Sequence, residues 1–197
     1  MSIEQTSERV YGIRIARDGT WFHEGSPINR IELVKLFAGV LRREESGDYW
    51  LVTPAERGRI TVEDAPFVAV AVSVEGSGED QKLVFRTNLD QEIVAGPDHP
   101  IRVETDILSG EPSPYILLKE RIEARISRAV FYELVERAVE RPTAQGAEIG
   151  IWSNRTFFAL GTISPGAAGI DHSRDTPPLL GPRARSRPRR RCIARRP

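Results

Sequence analysis

From Tyr49 to Ile122 the chain is written as short β-forming runs broken by turn signals, and that spacing leaves few folds open. Y-W-L-V-T (49–53) is closed by Pro54, and P-F-V-A-V-A-V-S-V (66–74) is β-branched at every second position, which predicts a largely buried strand. K-L-V-F-R-T (82–87) follows the turn G-S-G-E-D, and E-I-V-A-G (92–96) reads as its return. I-R-V-E-T-D-I (101–107) and Y-I-L-L-K-E-R-I (115–122) then flank L-S-G-E-P-S-P. Hairpins are predicted at both ends of this region, over 13–23 around Asp18-Gly19 and over 149–160 around Asn154-Arg155. Only two helical patterns interrupt the strands. Short strands in antiparallel succession give an α+β fold rather than a doubly wound α/β sheet. No Gly-rich strand-to-helix turn is present to cradle a nucleotide.

The two helices resemble each other at an offset of 98 residues. In P-I-N-R-I-E-L-V-K-L-F-A-G-V-L-R-R-E (27–44), Asn29 is placed to cap the helix, with Glu32 completing a capping box. Ile28 and Leu33 form a staple, and Leu33, Leu36, Phe37, Val40 and Leu41 form an apolar stripe. In I-S-R-A-V-F-Y-E-L-V-E-R-A-V-E-R (126–141), Ser127 takes the cap, Ile126 and Phe131 the staple, and Phe131, Leu134, Val135, Ala138 and Val139 the stripe. A strand pair precedes each helix and a Trp-bearing strand follows it. The expected architecture is an internal duplication of strand-pair, helix and strand units, mostly antiparallel, with two main helices around a common β core.

Both copies break one local rule. Arg30 and Arg128 stand at the first helical position, where the helix dipole disfavours a cation. An arginine beside free N–H groups holds a carboxylate or phosphate well. Arg30 and Arg128 are therefore the candidate ligand-binding residues, with Trp21 and Trp50 as a pocket floor. The alternative is that each arginine bonds an internal carboxylate such as Asp64 or Glu104.

Charge separates a body from a tail. Of 28 basic and 28 acidic residues, 161–197 holds 9 Arg against 2 Asp, which is +7, so residues 1–160 carry −7. The expected boundaries are an N-terminal α+β half over 10–63, a β-rich half with one helix over 64–160, and a basic, disordered tail over 161–197. Rich in Arg, Pro, Gly and Ala without lysine, the tail reads as GC-rich coding sequence translated out of frame. As a natural terminus it would instead bind nucleic acid through phosphates. The single cysteine, Cys192, excludes an internal disulfide framework, and His23, His99 and His172 lack metal-ligand spacing. No secretory signal or membrane-length apolar run is evident, so a cytoplasmic protein without membrane contact is expected.

R-I-A-R-D-G-T-W-F-H-E-G-S-P-I-N-R, Y-W-L-V-T-P-A-E-R, T-V-E-D-A-P-F-V-A-V, F-R-T-N-L-D-Q-E-I-V-A-G-P-D-H-P and I-E-A-R-I-S-R-A-V-F-Y-E-L-V-E resemble a bacterial family known as domain of unknown function 1285. The resemblance runs from about Ile13 to Leu160. It implies an internal duplication, a C-terminal part similar to the pleckstrin-homology fold, a ligand site between the two halves and a role in signal transduction. It brings no enzymatic activity, catalytic residue or cofactor. The expected function is thus a non-enzymatic module binding a small anionic ligand between its halves. The alternative is a protein–protein interaction module. A hydrolase built on Glu63, Asp64 or His99 is the third reading, against which neighbouring carboxylates on an extended segment point apart.

Overall fold

Backbone angles that few residues accept fix the first turns. β1 (Glu8–Ile15) leads into Asp18-Gly19, where Gly19 adopts φ +83°, and returns antiparallel as β2 (Trp21–His23) with Ile15 opposite Trp21. A second turn through Glu24 and Gly25, both at positive φ, adds β3 (Ser26–Pro27). The chain continues through α1 (Ile31–Val40), β4 (Leu41–Arg43), β5 (Tyr49–Val52) and β6 (Arg57–Val62). These strands form one sheet in the order β3-β2-β1-β6-β5-β4, in which β1 and β6 run parallel and every other neighbouring pair antiparallel. The computed structural model describes residues 8–144 and 146–163, all within one compact unit.

A second sheet repeats this plan. It contains β7 (Phe67–Glu75), β8 (Lys82–Thr87), β9 (Glu92–Val94), β10 (Ile101–Thr105), β11 (Pro112–Lys119) and β12 (Ile122–Ile126). Its order is β10-β11-β12-β7-β8-β9, again with the first and last strands parallel at the centre. Counted within each half, both sheets read fourth, fifth, sixth, first, second, third. α2 (Arg128–Glu136) follows, then a three-stranded antiparallel meander of β13 (Val139–Thr143), β14 (Gly146–Ser153) and β15 (Thr156–Ile163). Asn154 and Arg155, at φ +49° and +61°, make the tight turn between the last two strands.

The fold is α+β and internally duplicated, as expected, but the repeating unit is the six-stranded sheet rather than the helix and its flanks. α1 lies between the third and fourth strands of its half, whereas α2 comes after the sixth. Ile15 pairs with Val62 in the first sheet and Ala69 with Ile126 in the second, so the copies are offset by 54 residues at one strand and 64 at the other. The offset of 98 aligned two helices with different places in the topology.

Five local expectations are corrected. Asn29 does not cap α1; the N-cap is Arg30, whose side chain makes no capping hydrogen bond. The buried face of α1 is Val34 and Ala38, continuing to Leu41, while Leu36 is 65% exposed. Ser127 does cap α2, accepting from the Val130 N–H, but the helix ends at Glu136 and Val139 opens β13. Only Phe67 and Ala69 of β7 are buried, because its register against β8 shifts between Ala69 and Ala71 and turns Val70 outward. Gly161 to Ile163, assigned to the tail, complete β15; the remainder of the tail lies outside the described residues.

One continuous core joins both sheets, both helices and the meander, with Ile15, Leu41, Phe85, Ile116, Leu134 and Ile151 nearly inaccessible to solvent. Polar rivets cross between the halves. Asn88 accepts from the Val68 N–H at 3.0 Å and donates to the Gly19 carbonyl at 3.3 Å.

Candidate functional site

The duplication places two arginine–tyrosine pairs at corresponding positions. β4 and β10 are the fourth strands of their sheets, each paired with a fifth. Arg43 of β4 lies directly across from Tyr49 of β5, and Arg102 of β10 directly across from Tyr115 of β11. Cross-strand partners share a face, so each guanidinium lies over its partner's ring, at 5.3 Å and 4.4 Å.

Both arginines converge on Glu123 of β12, whose side chain is only 14% exposed. Arg43 Nη1 stands 3.7 Å from it, and Arg102 forks onto both oxygens while also pairing with Glu104. The hydrogen bonds to Glu123 raise the Arg102 pKa above the ordinary arginine value, so it stays charged at any working pH. A third arginine enters from the β11–β12 turn, where Glu120 adopts a left-handed backbone. The Arg121 carbonyl accepts from Arg43 Nη1 at 3.2 Å, and its guanidinium pairs with Glu45 at 2.6 Å. Arg43, Glu45 and Gly47 from the first half, with Arg102, Arg121 and Glu123 from the second, line a cavity of about 400 Å³ at the junction.

Behind the cavity the network continues into the segment joining the sheets. Tyr115 Oη donates to Asp64 Oδ1 at 2.8 Å, while Arg17 and Arg125 approach Oδ2 at 3.3 and 3.6 Å. Glu63 pairs with Arg14 and accepts the Arg17 N–H. Burial, and then the bond to Asp64, hold the Tyr115 phenol neutral, its pKa pushed up to about 12. Burial raises Tyr49 as well. A phenol that keeps its proton longer when folded favours folding below the ordinary tyrosine value near 10. That stability falls as pH climbs from there towards about 12, because the unfolded chain ionises first. Tyr115→Phe is therefore expected to shallow the loss of stability across this alkaline window, read from urea midpoints at successive pH values.

The residues singled out from sequence are not brought together. Arg30 is exposed at the α1 N-cap, with no side-chain hydrogen bond or ion pair among the described residues. Arg128 opens α2, donates through Nε to Tyr132 Oη at 2.8 Å and lines a small pocket beside Glu111 and Pro112. Its bond to Tyr132 raises its pKa. Trp21 is buried and stacked on Phe37 of α1 at 6.3 Å, and Trp50 lies under the Arg57 guanidinium at 4.1 Å. The carboxylates considered as their partners serve other arginines: Asp64 serves Arg17 and Arg125, and Glu104 serves Arg102. Glu63 and Asp64 are likewise engaged, and His99 Nδ1 meets the Leu117 carbonyl at 3.0 Å. Among the described residues, no group of three or more His, Cys, Asp or Glu is placed to hold a metal ion.

Two family models match the chain: the N-terminal domain of DUF1285, a domain of unknown function, over residues 5–65, and the C-terminal domain of the same family over 66–160. Among solved structures, a DUF1285 family protein from Silicibacter pomeroyi DSS-3 is 44% identical, with a TM-score of 0.71, over 80% of this chain and 82% of that one. A second, from Shewanella baltica OS155, is 25% identical with a TM-score of 0.50, over 64% of this chain and 92% of that one. Among curated proteins, nothing matches. With both halves matched in order, and the duplicated sheets accounting for the two models, the chain belongs to the DUF1285 family.

Proposed function

We propose that the protein binds a small anionic ligand in the junction cavity and does not transform it. The observation that carries this reading is that equivalent strands of the two halves each deliver a tyrosine-backed arginine to one cavity, where Arg121 joins them. The three cations are not equally available. Arg102 is spent on Glu123 and Glu104. Arg121 is held by Glu45, whose side chain is 85% exposed, and such a pair contributes about 0–1 kcal/mol. An incoming carboxylate or phosphate therefore displaces Glu45 at little cost. Arg43, beyond hydrogen-bond distance of Glu123, has N–H groups to offer the same ligand. Because both halves supply ligands, occupancy favours the arrangement in which they meet, which suits a signalling role. Among the described residues, no helix is long and apolar enough to cross a membrane.

A thermal-shift series with phosphate and with di- and tricarboxylates tests the reading. A ligand at about 100 times its Kd adds about 2.7 kcal/mol, equivalent to a Tm rise of about 5–10 °C for a domain of this size. The Arg43→Ala/Arg121→Ala double variant is expected to lose that rise while its ligand-free Tm stays close to wild type. An undiminished rise in the variant would place the ligand elsewhere. One observation favours a protein-interaction module instead: Ile107 and Leu108 are 98% and 97% exposed at the β10–β11 turn. That reading stands if no anion raises the wild-type Tm.

A further inference from the structure

α1 does not lie flush on its sheet. Leu33, Phe37 and Val40 face Tyr11 and Ile13 of β1 and Leu51 of β5 across a groove of about 690 Å³, within the range of small-molecule sites. The apolar surface continues outward at Val10, 85% exposed, and along α1 at Leu36. The lining includes two carboxylates, Glu24 and Glu56, together with His23, and no lysine or arginine.

The carboxylates differ. Glu56 is paired with Arg9 at 3.2 Å. Glu24 makes no side-chain hydrogen bond or ion pair among the described residues. Its backbone is left-handed, at φ +47°, an unusual conformation for a glutamate, and its N–H donates to the Gly12 carbonyl at 2.8 Å. Gly12 matters here because a Cβ would overlap the Glu24 carboxylate, so its absence lets that carboxylate lie against β1 at the groove. An unpaired anion beside an apolar trough is complementary to one kind of molecule.

We infer that this groove is a second, separate binding site, for an amphiphilic monocation: an apolar body lying along Leu33, Phe37 and Val40, with its ammonium on Glu24. Its charge preference is opposite to that of the junction cavity, so the two sites are separable by experiment.

Three probes share one apolar body: 4-phenylbutylamine, 4-phenylbutanol and 4-phenylbutyrate. Binding of each to the full chain is measured by titration calorimetry. The amine is expected to bind tightest and the butyrate weakest, with the amine about 5-fold tighter than the alcohol, the upper end of what an exposed ion pair contributes. Glu24→Gln, on an exposed turn and close in shape, is expected to bring the amine to the alcohol's affinity while leaving the alcohol within about twofold. Val40→Trp, which fills the groove, is expected to weaken all three probes. A butyrate that binds as well as the amine overturns the proposal, as does an amine preference that survives Glu24→Gln. Binding by none of the three overturns it too. Should Val40→Trp fail to fold, the Glu24→Gln comparison decides alone.

Discussion

Trp21→Ala is expected to remove about 3–5 kcal/mol of stability, the usual result of emptying a buried tryptophan site. Small domains have about 5–15 kcal/mol in total, so this variant approaches the limit of remaining folded. Trp21 is 2% exposed, lies across from the fully buried Ile15 and stacks on Phe37. Its ring therefore joins the first hairpin to the underside of α1, and alanine leaves a void bounded by a helix on one side and a strand on the other. Neither closes easily. Among the described residues the indole N–H has no partner, so Trp21→Phe gives up area without orphaning a polar group and is expected to cost much less. Urea unfolding of the pair provides the check. A cost below about 1 kcal/mol for alanine would show that α1 is held from elsewhere.

Ser153→Ala is the second large effect, and its cause is polar. Ser153 is wholly buried at the end of β14; its hydroxyl donates to the Ala95 carbonyl at 2.7 Å and accepts from the Leu83 N–H at 2.9 Å. One oxygen thus satisfies two backbone groups of the second sheet. Removing it leaves both buried and unpaired, at about 1–3 kcal/mol each. Around it, Gln81 donates to the Trp152 carbonyl at 2.8 Å, and the Asn154 and Arg155 N–H groups bond the Gln81 and Glu79 carbonyls. These bonds seat the final hairpin against β8, with Ser153 the buried member of the set. Amide exchange localises the effect: Leu83 is expected to lose protection well before the centre of β12. Equal loss in both places would make the serine's role global rather than local.

What the sequence discloses depends on whether the deciding interaction is local. The hairpins at Asp18-Gly19 and Asn154-Arg155 were legible because turn chemistry is local, and so was the Ser127 cap. The end of α1 was hidden, because its apolar spacing runs past Gly39 into β4, with no glycine or proline just after Val40 to stop it. β6 was missed because R-G-R-I-T-V carries charges on its outer face and a glycine within. Gly58 lies under the Tyr11 ring, an arrangement visible only after β1 and β6 have met. The duplicated arginines were the hardest. Arg43 and Tyr49 are joined by a short turn, Arg102 and Tyr115 by a longer hairpin, so no constant spacing marks them. Strand register creates the equivalence, and register is set by partners far away in the chain. The helices offered a cleaner repeat and drew attention to Arg30 and Arg128 instead.

The parallel seam at the middle of each sheet also bears on how such a protein can arise. Because β1 and β6 point the same way, the chain enters the first sheet at one end and leaves it at the other. An antiparallel seam would return the chain to its starting end, and a second copy would then need a long bridge to begin afresh. Here a tandem copy can start where the first stops, after a span no longer than residues 63–66. That short joint came to hold Glu63, which grips the earlier copy through Arg14, and Asp64, which grips the later one through Tyr115 and Arg125. A splice that any in-frame repetition of the coding sequence would create has become the clasp between its two products.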